Sequence, residues 1–342
     1  MADQPILVIS LDFELHWGRF DKADPLGTKK YYRNTHKTIP KILAIFEKYE
    51  VEATWAAVGM LLAENKKEWK SFAPQHRPGY TNPILSAYDW YEKRRIFKKS
   101  LFAPDLAAKI IETSGQELGS HTFAHYYTME PGQTLEEFKA DLDAAKNITS
   151  SKFNITPSAL VFPRNQCNPS YLKVCKEAGF NVVRSNPSNW FWQNTHQETL
   201  LKKIFRTADT FFPTGRRTSF PISALKINNG LPLQIPSSRL LRPSDPKNKI
   251  LNALRIKRIK MEMSVAAKKG EIYHLWWHPH NFGDHPKQNL TDLKEILDHY
   301  SILNRDYGMI SKNMSGVADI VFSKGEKAPI VNTEEMDIHR RS

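Results

Sequence analysis

The amino-acid sequence predicts an α/β fold built from parallel strand–helix units. Short apolar runs, typical of buried strands, alternate along the chain with amphipathic segments of about 10–15 residues. Reactive polar side chains directly follow several of these runs, and α/β folds form their sites at the carboxyl ends of parallel strands. With 342 residues, the chain can form one large domain or two smaller ones.

Apolar spacing predicts the elements of the first half of the chain. The first strand is a continuous apolar run, and the next apolar run ends near Gly59. In the first predicted helix, 35–49, apolar side chains share one side: Ile39, Ile42, Leu43 and Phe46. The second predicted helix, 104–113, ends before Gly115. The predicted order is strand 6–10, helix 35–49, strand 53–60, helix 104–113 and strand 117–120.

Helix-capping residues define the second half. Thr134 and Glu137 form a capping-box pattern at the start of one helix, and Gly179 follows the end of the next. The predicted order is helix 134–148, strand 158–162, helix 169–178, strand 180–183, strand 271–277 and helix 290–303.

Two long segments interrupt this alternation. The segment 65–101 is rich in Lys, Trp, Tyr and Pro and is interpreted as an inserted surface or lid region. The segment 206–270 is a second insert and contains a basic amphipathic stretch at 251–260. That stretch fits a solvated helix packed on the body, or a contact with an anionic or lipid-linked substrate or a membrane surface.

Composition restricts the partners and the compartment. The formal charge of +13 favours phosphorylated or uronate sugars, nucleic acid or a membrane surface, although a basic solvated surface explains it equally well. Nucleic-acid binding has only this charge in its favour, because the sequence contains no recognition motif. Two cysteines, expected to be free thiols, and the absence of a secretory signal predict a cytoplasmic protein.

Two patterns carry the candidate chemistry. Asp12 and Glu14 lie two residues apart at the end of the first strand, so an extended backbone places both carboxylates on one face. His121 and His125 lie four residues apart and face the same way if 120–126 begins a helical turn. One carboxylate and two imidazoles are common ligands of a catalytic divalent metal, and the second carboxylate can act as a base. The pattern indicates metal-assisted hydrolysis and leaves open which carboxylate holds the metal.

Later strands supply further candidates. Arg164 follows a strand and can orient a carboxylate through its planar guanidinium, although a surface arginine is the plainer interpretation. Four histidines lie within 274–285 and could form a metal site by themselves. We select His278 as the functional one, because it ends a predicted strand. Trp276 and Trp277 would form aromatic walls for a sugar ring, although tryptophans are more often core residues.

These patterns resemble the polysaccharide deacetylase family, also called the NodB-homology or carbohydrate esterase family 4 group. Two departures are visible: Asp-Phe-Glu replaces the family's adjacent aspartates, and its acidic–aromatic fourth motif has no clear match, 185–190 being the nearest segment. The similar segments are 10–14 (first motif), 53–59 (second strand), 119–125 (H-[S/T]-x-x-H), 162–166 (Arg–Pro loop) and 275–278 (Leu-x-His).

The resemblance implies a distorted (β/α) barrel of about seven strands, NodB-like, with two long inserts. Residues 1–323 would form a single catalytic domain with inserts at about 65–101 and 206–270, followed by a polar tail at 324–342.

The resemblance also implies roles for individual residues. The metal, which we expect to be zinc, would be held by Glu14, His121 and His125. Asp12 would be the base, Arg164 would orient it, and His278 would protonate the leaving amine. Further substrate-binding candidates are Trp276, Trp277, His280 and Asn165.

The implied activity is removal of an N-acyl group, expected to be acetyl, from an amino sugar of a polysaccharide or of its nucleotide- or lipid-linked precursor. Two alternatives remain. One is an amidohydrolase of a small nitrogenous substrate, similar to allantoinase, and the other is a sugar-binding protein whose metal site has decayed. The positive charge fits a phosphorylated or lipid-linked substrate, and 251–260 would provide any contact with a membrane surface.

Overall fold

The structure is a computed structural model that describes residues 3–22, 28–92 and 97–326. Its centre is a curled and mostly parallel β-sheet, with helices packed on the outside. The strands in the described residues are β1 (Ile6–Phe13), β2 (Ala53–Ala57), β3 (Gln116–Ser120), β4 (Ala159–Val161), β5 (Val182–Ser185), β6 (Phe220–Pro221), β7 (Leu233–Pro236), β8 (Arg239–Leu240), β9 (Glu271–Trp277) and β10 (Ile310–Lys312).

The sheet follows the order β9, β1, β2, β3, β4, β5, β7, and all of these pairings are parallel. The short strand β6 lies antiparallel to β9, and β10 pairs with the first residues of β1. Consecutive central strands are connected through helices, as expected for parallel strand–helix units.

One segment, 233–241, joins the two edges of the sheet. β7 pairs with β5, and β8, which follows directly, pairs with β9. Between them the Ser238 N–H donates to the carbonyl of His274 on β9 at 2.8 Å. If β7 and β8 are taken as one strand, about seven strands surround the interior, which confirms the predicted distorted (β/α) barrel.

Most predicted helices are present, with shifted ends. The capping box at Thr134 is formed as predicted, because Thr134 Oγ1 accepts from the Glu137 N–H at 3.2 Å and Glu137 accepts from the Thr134 N–H at 2.7 Å. The helices are α1 (Lys29–Lys48), α2 (Lys66–Phe72), α3 (Ala87–Glu92), α4 (Lys98–Leu101), α5 (Pro104–Glu112), α6 (Leu135–Phe153), α7 (Pro169–Glu177), α8 (Leu200–Asp209), α9 (Lys249–Lys269), α10 (Pro286–Tyr307) and α11 (Met314–Glu326).

Successive side chains of β1 point alternately towards the hydrophobic core beneath the helices and towards the interior of the barrel. One set of its side chains packs in the main hydrophobic cluster beneath the helices: Leu7, Ile9, Leu11 and Phe13. On the other face, Ser10 and Asp12 meet Arg184 of β5 and His274 of β9. The barrel interior is therefore polar towards the carboxyl ends of the strands.

The two expected inserts differ in character. The segment 65–101 contains α2, α3 and α4, and its aromatic side chains, including Trp69 and Tyr88, are buried against the body. The expectation of a second insert at 206–270 is corrected in part, because this segment contributes β6, β7, β8 and α9 to the barrel. The sequence signal for β7 and β8 is weak, because both strands are short and Pro236 interrupts them.

The basic stretch 251–260 lies within α9. Ile256 and Ile259 are buried, and the Arg255 guanidinium pairs with Asp292 of α10. The apolar side of this stretch therefore packs on the protein, as the solvated-helix interpretation states. Because Ile256 and Ile259 are covered by the protein, the structure gives no support to a membrane contact through 251–260.

Among the described residues, no helix has the length and apolar character needed to cross a membrane. Cys167 and Cys175 are free thiols, as predicted. The predicted tail lies outside the described residues from 327 onwards.

Candidate active site

The predicted site residues meet at one edge of the sheet. Glu14 follows the last residue of β1, His121 follows β3, and His278 follows β9. Because these strands are parallel members of one sheet, their carboxyl ends lie side by side. Segments that are distant in sequence therefore contribute to one buried cluster.

A candidate metal site consists of Glu14, His121 and His125. One ligand atom from each residue lies within 4.8 Å of the others, and all three residues are buried. Glu14 Oε2 is 3.0 Å from His125 Nε2 and 3.3 Å from His121 Nε2. Two imidazoles and one carboxylate form a three-ligand set that fits a catalytic zinc ion, with further positions left for water or substrate.

The hydrogen bonds of His121 support this fit. Its Nδ1 lies 2.8 Å from the carbonyl of Val161, which only accepts hydrogen bonds, so Nδ1 carries a proton. In the neutral ring Nε2 then presents a lone pair, and this buried atom has no hydrogen-bond partner among the described residues. It faces the Glu14 carboxylate, and two acceptors at this separation are stabilised only by a shared proton or cation.

The protonation states in this cluster also suit a metal. Burial opposes ionisation of Glu14, but His278, His121 and His125 outweigh it and hold the pKa of Glu14 well below its ordinary value. Burial lowers the pKa of His125 to about 4, despite the neighbouring Glu14. An ionised carboxylate beside a neutral imidazole is the form in which both bind metals.

The loop between the two histidines is not helical, which corrects the predicted helical turn at 120–126. Thr122 and His125 have left-handed backbone conformations, with φ of 64° and 55°. Asp141 of α6 fixes the loop by accepting from the N–H groups of Phe123 at 2.6 Å and Ala124 at 3.1 Å. The imidazoles therefore converge through a clamped loop rather than through the i, i+4 geometry of a helix.

Gly18 provides space for the Glu14 carboxylate. The chain turns after β1 into a 3₁₀ segment, Leu15–Arg19, which brings Gly18 against the Glu14 side chain. A Cβ atom on Gly18 would lie 1.8 Å from Glu14 Oε1. Only glycine leaves the carboxylate in this position.

Arg184 of β5 binds the Asp12 carboxylate. Its Nη1 donates to Oδ1 at 2.6 Å and its Nη2 donates to Oδ2 at 2.9 Å, and both side chains are buried. Burial raises the pKa of Asp12, but Arg184, with help from His121, lowers it below its ordinary value. The guanidinium lies 4.3 Å from the ring centre of Trp276, which fixes its plane.

This pairing corrects the prediction that Arg164 orients Asp12. Arg164 donates to Asp21 at 2.5 Å, and its guanidinium covers the ring of Tyr127. Arg164 and Asn165 both have left-handed backbone conformations, and this turn places Arg164 beside Asp21. Asn165 Oδ1 instead accepts from Arg184 Nη2 at 3.1 Å, so Asn165 supports the arginine that binds Asp12.

Of the two candidate acid histidines, His278 lies nearer the carboxylates and is more open. Its Nε2 is 3.7 Å from Asp12 Oδ2 and 3.6 Å from Glu14 Oε1, and 27% of its side chain is exposed. His280 is buried, its Nε2 is 4.0 Å from Glu14 Oε1, and burial lowers its pKa to about 3.

The two predicted tryptophan walls lie on opposite faces of β9. Trp277 is fully buried, stacks on Phe282 and contacts Phe46, so its assignment to substrate binding is corrected to a core role. Trp276 faces the site but is covered by neighbouring rings. Trp192 is partly exposed and contacts Trp276 at a ring distance of 6.0 Å, so it offers the open aromatic surface that Trp277 does not.

Sequence reasoning missed Arg184, Asp141 and Trp192. Arg184 follows a buried apolar run, as the other site residues do, so the strand-end criterion could have identified it. Asp141 has only a weak signal, a carboxylate on the buried side of a predicted helix. Trp192 lies in a segment with no recognisable pattern.

Comparisons with known proteins show the family and the fold that this chain resembles. Residues 20–183 match the family model for polysaccharide deacetylase. Three solved structures share the fold over most of both chains. A candidate polysaccharide deacetylase from Mycobacterium smegmatis is 14% identical with a TM-score of 0.58, over 95% of this chain and 96% of the other. A probable polysaccharide deacetylase from Pseudomonas aeruginosa is 12% identical with a TM-score of 0.55, over 95% and 92%. The Puue allantoinase is 11% identical with a TM-score of 0.56, over 94% and 92%. A search of curated proteins found no match to the chain.

Proposed function

This chain carries a polysaccharide deacetylase domain of the NodB-homology group, and from that premise we propose that it removes an acetyl group from the nitrogen of an amino sugar by metal-assisted hydrolysis. The observation that supports the proposal most strongly is the Glu14–His121–His125 cluster beside the ion pair of Asp12 and Arg184. These groups would supply the metal ligands and the general base of metal-assisted amide hydrolysis.

Glu14, His121 and His125 would hold the metal, which we propose to be zinc. When bound, such an ion would polarise the acyl oxygen and lower the pKa of water towards about 7. The protein contributes ligands in the required protonation states and a loop clamped by Asp141.

Asp12 would act as the general base. Arg184 keeps the Asp12 carboxylate ionised and fixes its plane, so that the carboxylate is ready to take a proton from the attacking water. Because Nη1 and Nη2 of Arg184 each donate to one oxygen of the Asp12 carboxylate, the orientation of the carboxylate is set before substrate binds.

His278 would act as the general acid. An amine leaves readily only when it is protonated, and the partly exposed His278 lies beside both carboxylates. Its Nε2 can donate a proton to the departing nitrogen. His280 is covered, so we assign it to the support of Glu14 rather than to proton transfer.

The surroundings of the site favour a sugar that carries negative charge. Burial is the largest cause that lowers the pKa of Lys22 and the positive charge of Arg164 is the next, so these two basic side chains lie near one another, and Arg164 also pairs with Asp21. Trp192 is partly exposed, and the part of its ring that Arg206 leaves uncovered would pack against a sugar ring. We therefore propose a nucleotide- or lipid-linked amino sugar, a precursor of a surface polysaccharide, as the substrate.

The proposal is tested by incubating the zinc-loaded chain with a panel of substrates and measuring acetate release from the acetylated sugars and ring opening of allantoin. The panel contains N-acetylglucosamine oligomers, a nucleotide-linked N-acetyl amino sugar and allantoin. We expect acetate from an acetylated sugar, fastest from the phosphorylated one. Hydrolysis of allantoin alone would show a small-molecule amidohydrolase. Failure to retain one metal ion per chain would show a decayed site.

A further inference from the structure

Helix α8 packs with its polar side inwards. The Lys202 ammonium donates to the carbonyls of Gln193, Asn194 and Gln197 at 2.8–3.1 Å. At the end of the helix, Arg239 binds the carbonyl of Asp209 at 2.6 Å and its carboxylate at 3.2 Å. In a helix of a water-soluble surface, these side chains would face the solvent.

The apolar side of α8 faces outwards instead. Leu200 and Leu201 are consecutive, and each lies about one helical turn from Ile204. All three side chains are more than half exposed, up to 74% for Leu200. Phe212, just beyond the helix, and Trp190, whose ring lies 5.1 Å from that of Phe205, extend the surface and are about half exposed. We call these five side chains the α8 patch. Folding does not explain such a patch, because burial of these side chains would be favourable and is not achieved.

The charges around the α8 patch are positive. The segment 186–217 contains five basic and two acidic residues. Both acidic side chains are already paired, Glu198 with Arg206 and Asp209 with Arg239. Lys203, Arg216 and Arg217 are exposed, and among the described residues only Arg217 has an ion-pair partner, Glu271. The patch is therefore apolar at its centre and cationic at its border.

The α8 patch lies near the candidate active site. Arg206 on α8 covers the ring of Trp192 at 5.1 Å, Trp192 contacts Trp276, and Trp276 contacts His278. A surface bound to the patch would thus lie close to the residues that we propose to transfer protons.

We propose that the α8 patch docks the protein on an anionic lipid bilayer. Leucine, isoleucine and aromatic side chains would enter the boundary between headgroups and acyl chains, while the surrounding basic side chains contact lipid phosphates. A second copy of the chain would fit the α8 patch less well than a bilayer, because dimerisation through the patch would bring the positive charges of Lys203 and Arg216 on the two copies together.

The test is sedimentation of the full chain with vesicles, without any sugar present. We expect binding to vesicles of phosphatidylcholine mixed with phosphatidylglycerol, weaker binding to phosphatidylcholine alone, and loss of binding at high salt. The double variant Leu200→Glu/Ile204→Glu should bind the anionic vesicles at least about tenfold more weakly, because two apolar side chains that would enter the bilayer are replaced by side chains with the same negative charge as the lipid. Circular dichroism verifies that the variant is folded, which is expected because both positions are exposed.

The matched control is Ile250→Glu. Ile250 is also an exposed isoleucine near lysines on a helix, but it lies at the start of α9. Its substitution should leave vesicle binding unchanged. The proposal is overturned if the wild-type chain ignores anionic vesicles, or if the α8 variant binds like the wild type. It is also overturned if Ile250→Glu is equally damaging, or if the patch instead forms a dimer that Leu200→Glu/Ile204→Glu dissociates. Acetate release from a soluble substrate is measured separately, so loss of docking and loss of catalysis are distinguishable.

Discussion

Replacement of Gly18 by alanine tests whether the position of Glu14 determines metal binding. A Cβ atom would lie 1.8 Å from Glu14 Oε1 and 2.0 Å from Glu14 Cδ, whereas ordinary contact begins at 3.4 Å. The carboxylate must therefore move by about 1.6 Å, since close packing around the Leu15–Arg19 turn leaves the backbone little freedom. The variant displaces one ligand without removing it.

The expected loss is large for such a small change. Misplacement of a catalytic group by about 1 Å costs about 100-fold in rate, so kcat/KM should fall by about 100-fold or more. Zinc affinity should fall by about 10–100-fold, as when the groups that orient a metal ligand are changed. The fold should persist, because Gly18 has an ordinary backbone conformation and alanine favours helical turns more than glycine does.

Zinc affinity is measured by competition with a chromophoric chelator, and stability by thermal unfolding. Gly316→Ala on α11 is the control, because its Cβ would first meet the flexible Lys312 side chain, at 3.2 Å. The reasoning is refuted if Gly18→Ala binds zinc and hydrolyses substrate like the wild type, or if Gly316→Ala is equally impaired.

Three other changes give distinct outcomes. In Arg184→Gln the acid limb of the kcat/KM pH profile should move to higher pH, because the pKa of Asp12 loses its main lowering partner, whereas Arg164→Gln should leave that limb in place. An equal shift in both variants would contradict the assignment. Burial raises the pKa of Asp141 to about 7, above its ordinary 3.8, so the folded chain binds an extra proton between these values. The free energy of unfolding should therefore fall as pH rises through this window. Asp141→Asn should remove that slope in denaturant titrations, and identical slopes would refute it. Removal of zinc by a chelator should abolish acetate release, and added zinc should restore it. Activity that persists in the metal-free chain would exclude a metal role.

The fold and the main cluster were predictable because both follow from local patterns. Apolar runs and helix caps determine the strand–helix alternation, and parallel strands bring their carboxyl ends together. Asp12, Glu14, His121 and His278 each follow such a run, so their meeting required no knowledge of tertiary contacts. The segment 233–241 escaped prediction because its two short strands acquire their role only by bridging β5 and β9.

The details of the site depend on contacts that sequence spacing does not encode. Arg184 and Arg164 both follow strands, and only the folded chain shows that the turn at 163–165 places Arg164 beside Asp21. The loop from His121 to His125 depends on Asp141, which lies on the following helix.

The error at Trp277 was avoidable. Neighbouring strand residues face opposite sides, so Trp276 and Trp277 could not both line the same site.

The most direct test of the account compares acetate release by zinc-loaded wild-type protein with release by zinc-loaded Asp12→Asn. We predict that the variant retains zinc but releases acetate from an N-acetylated amino sugar about 10²–10⁴-fold more slowly, because it lacks the general base. Near-wild-type release by Asp12→Asn, with zinc still bound, would contradict the proposed division of roles between Asp12 and Glu14.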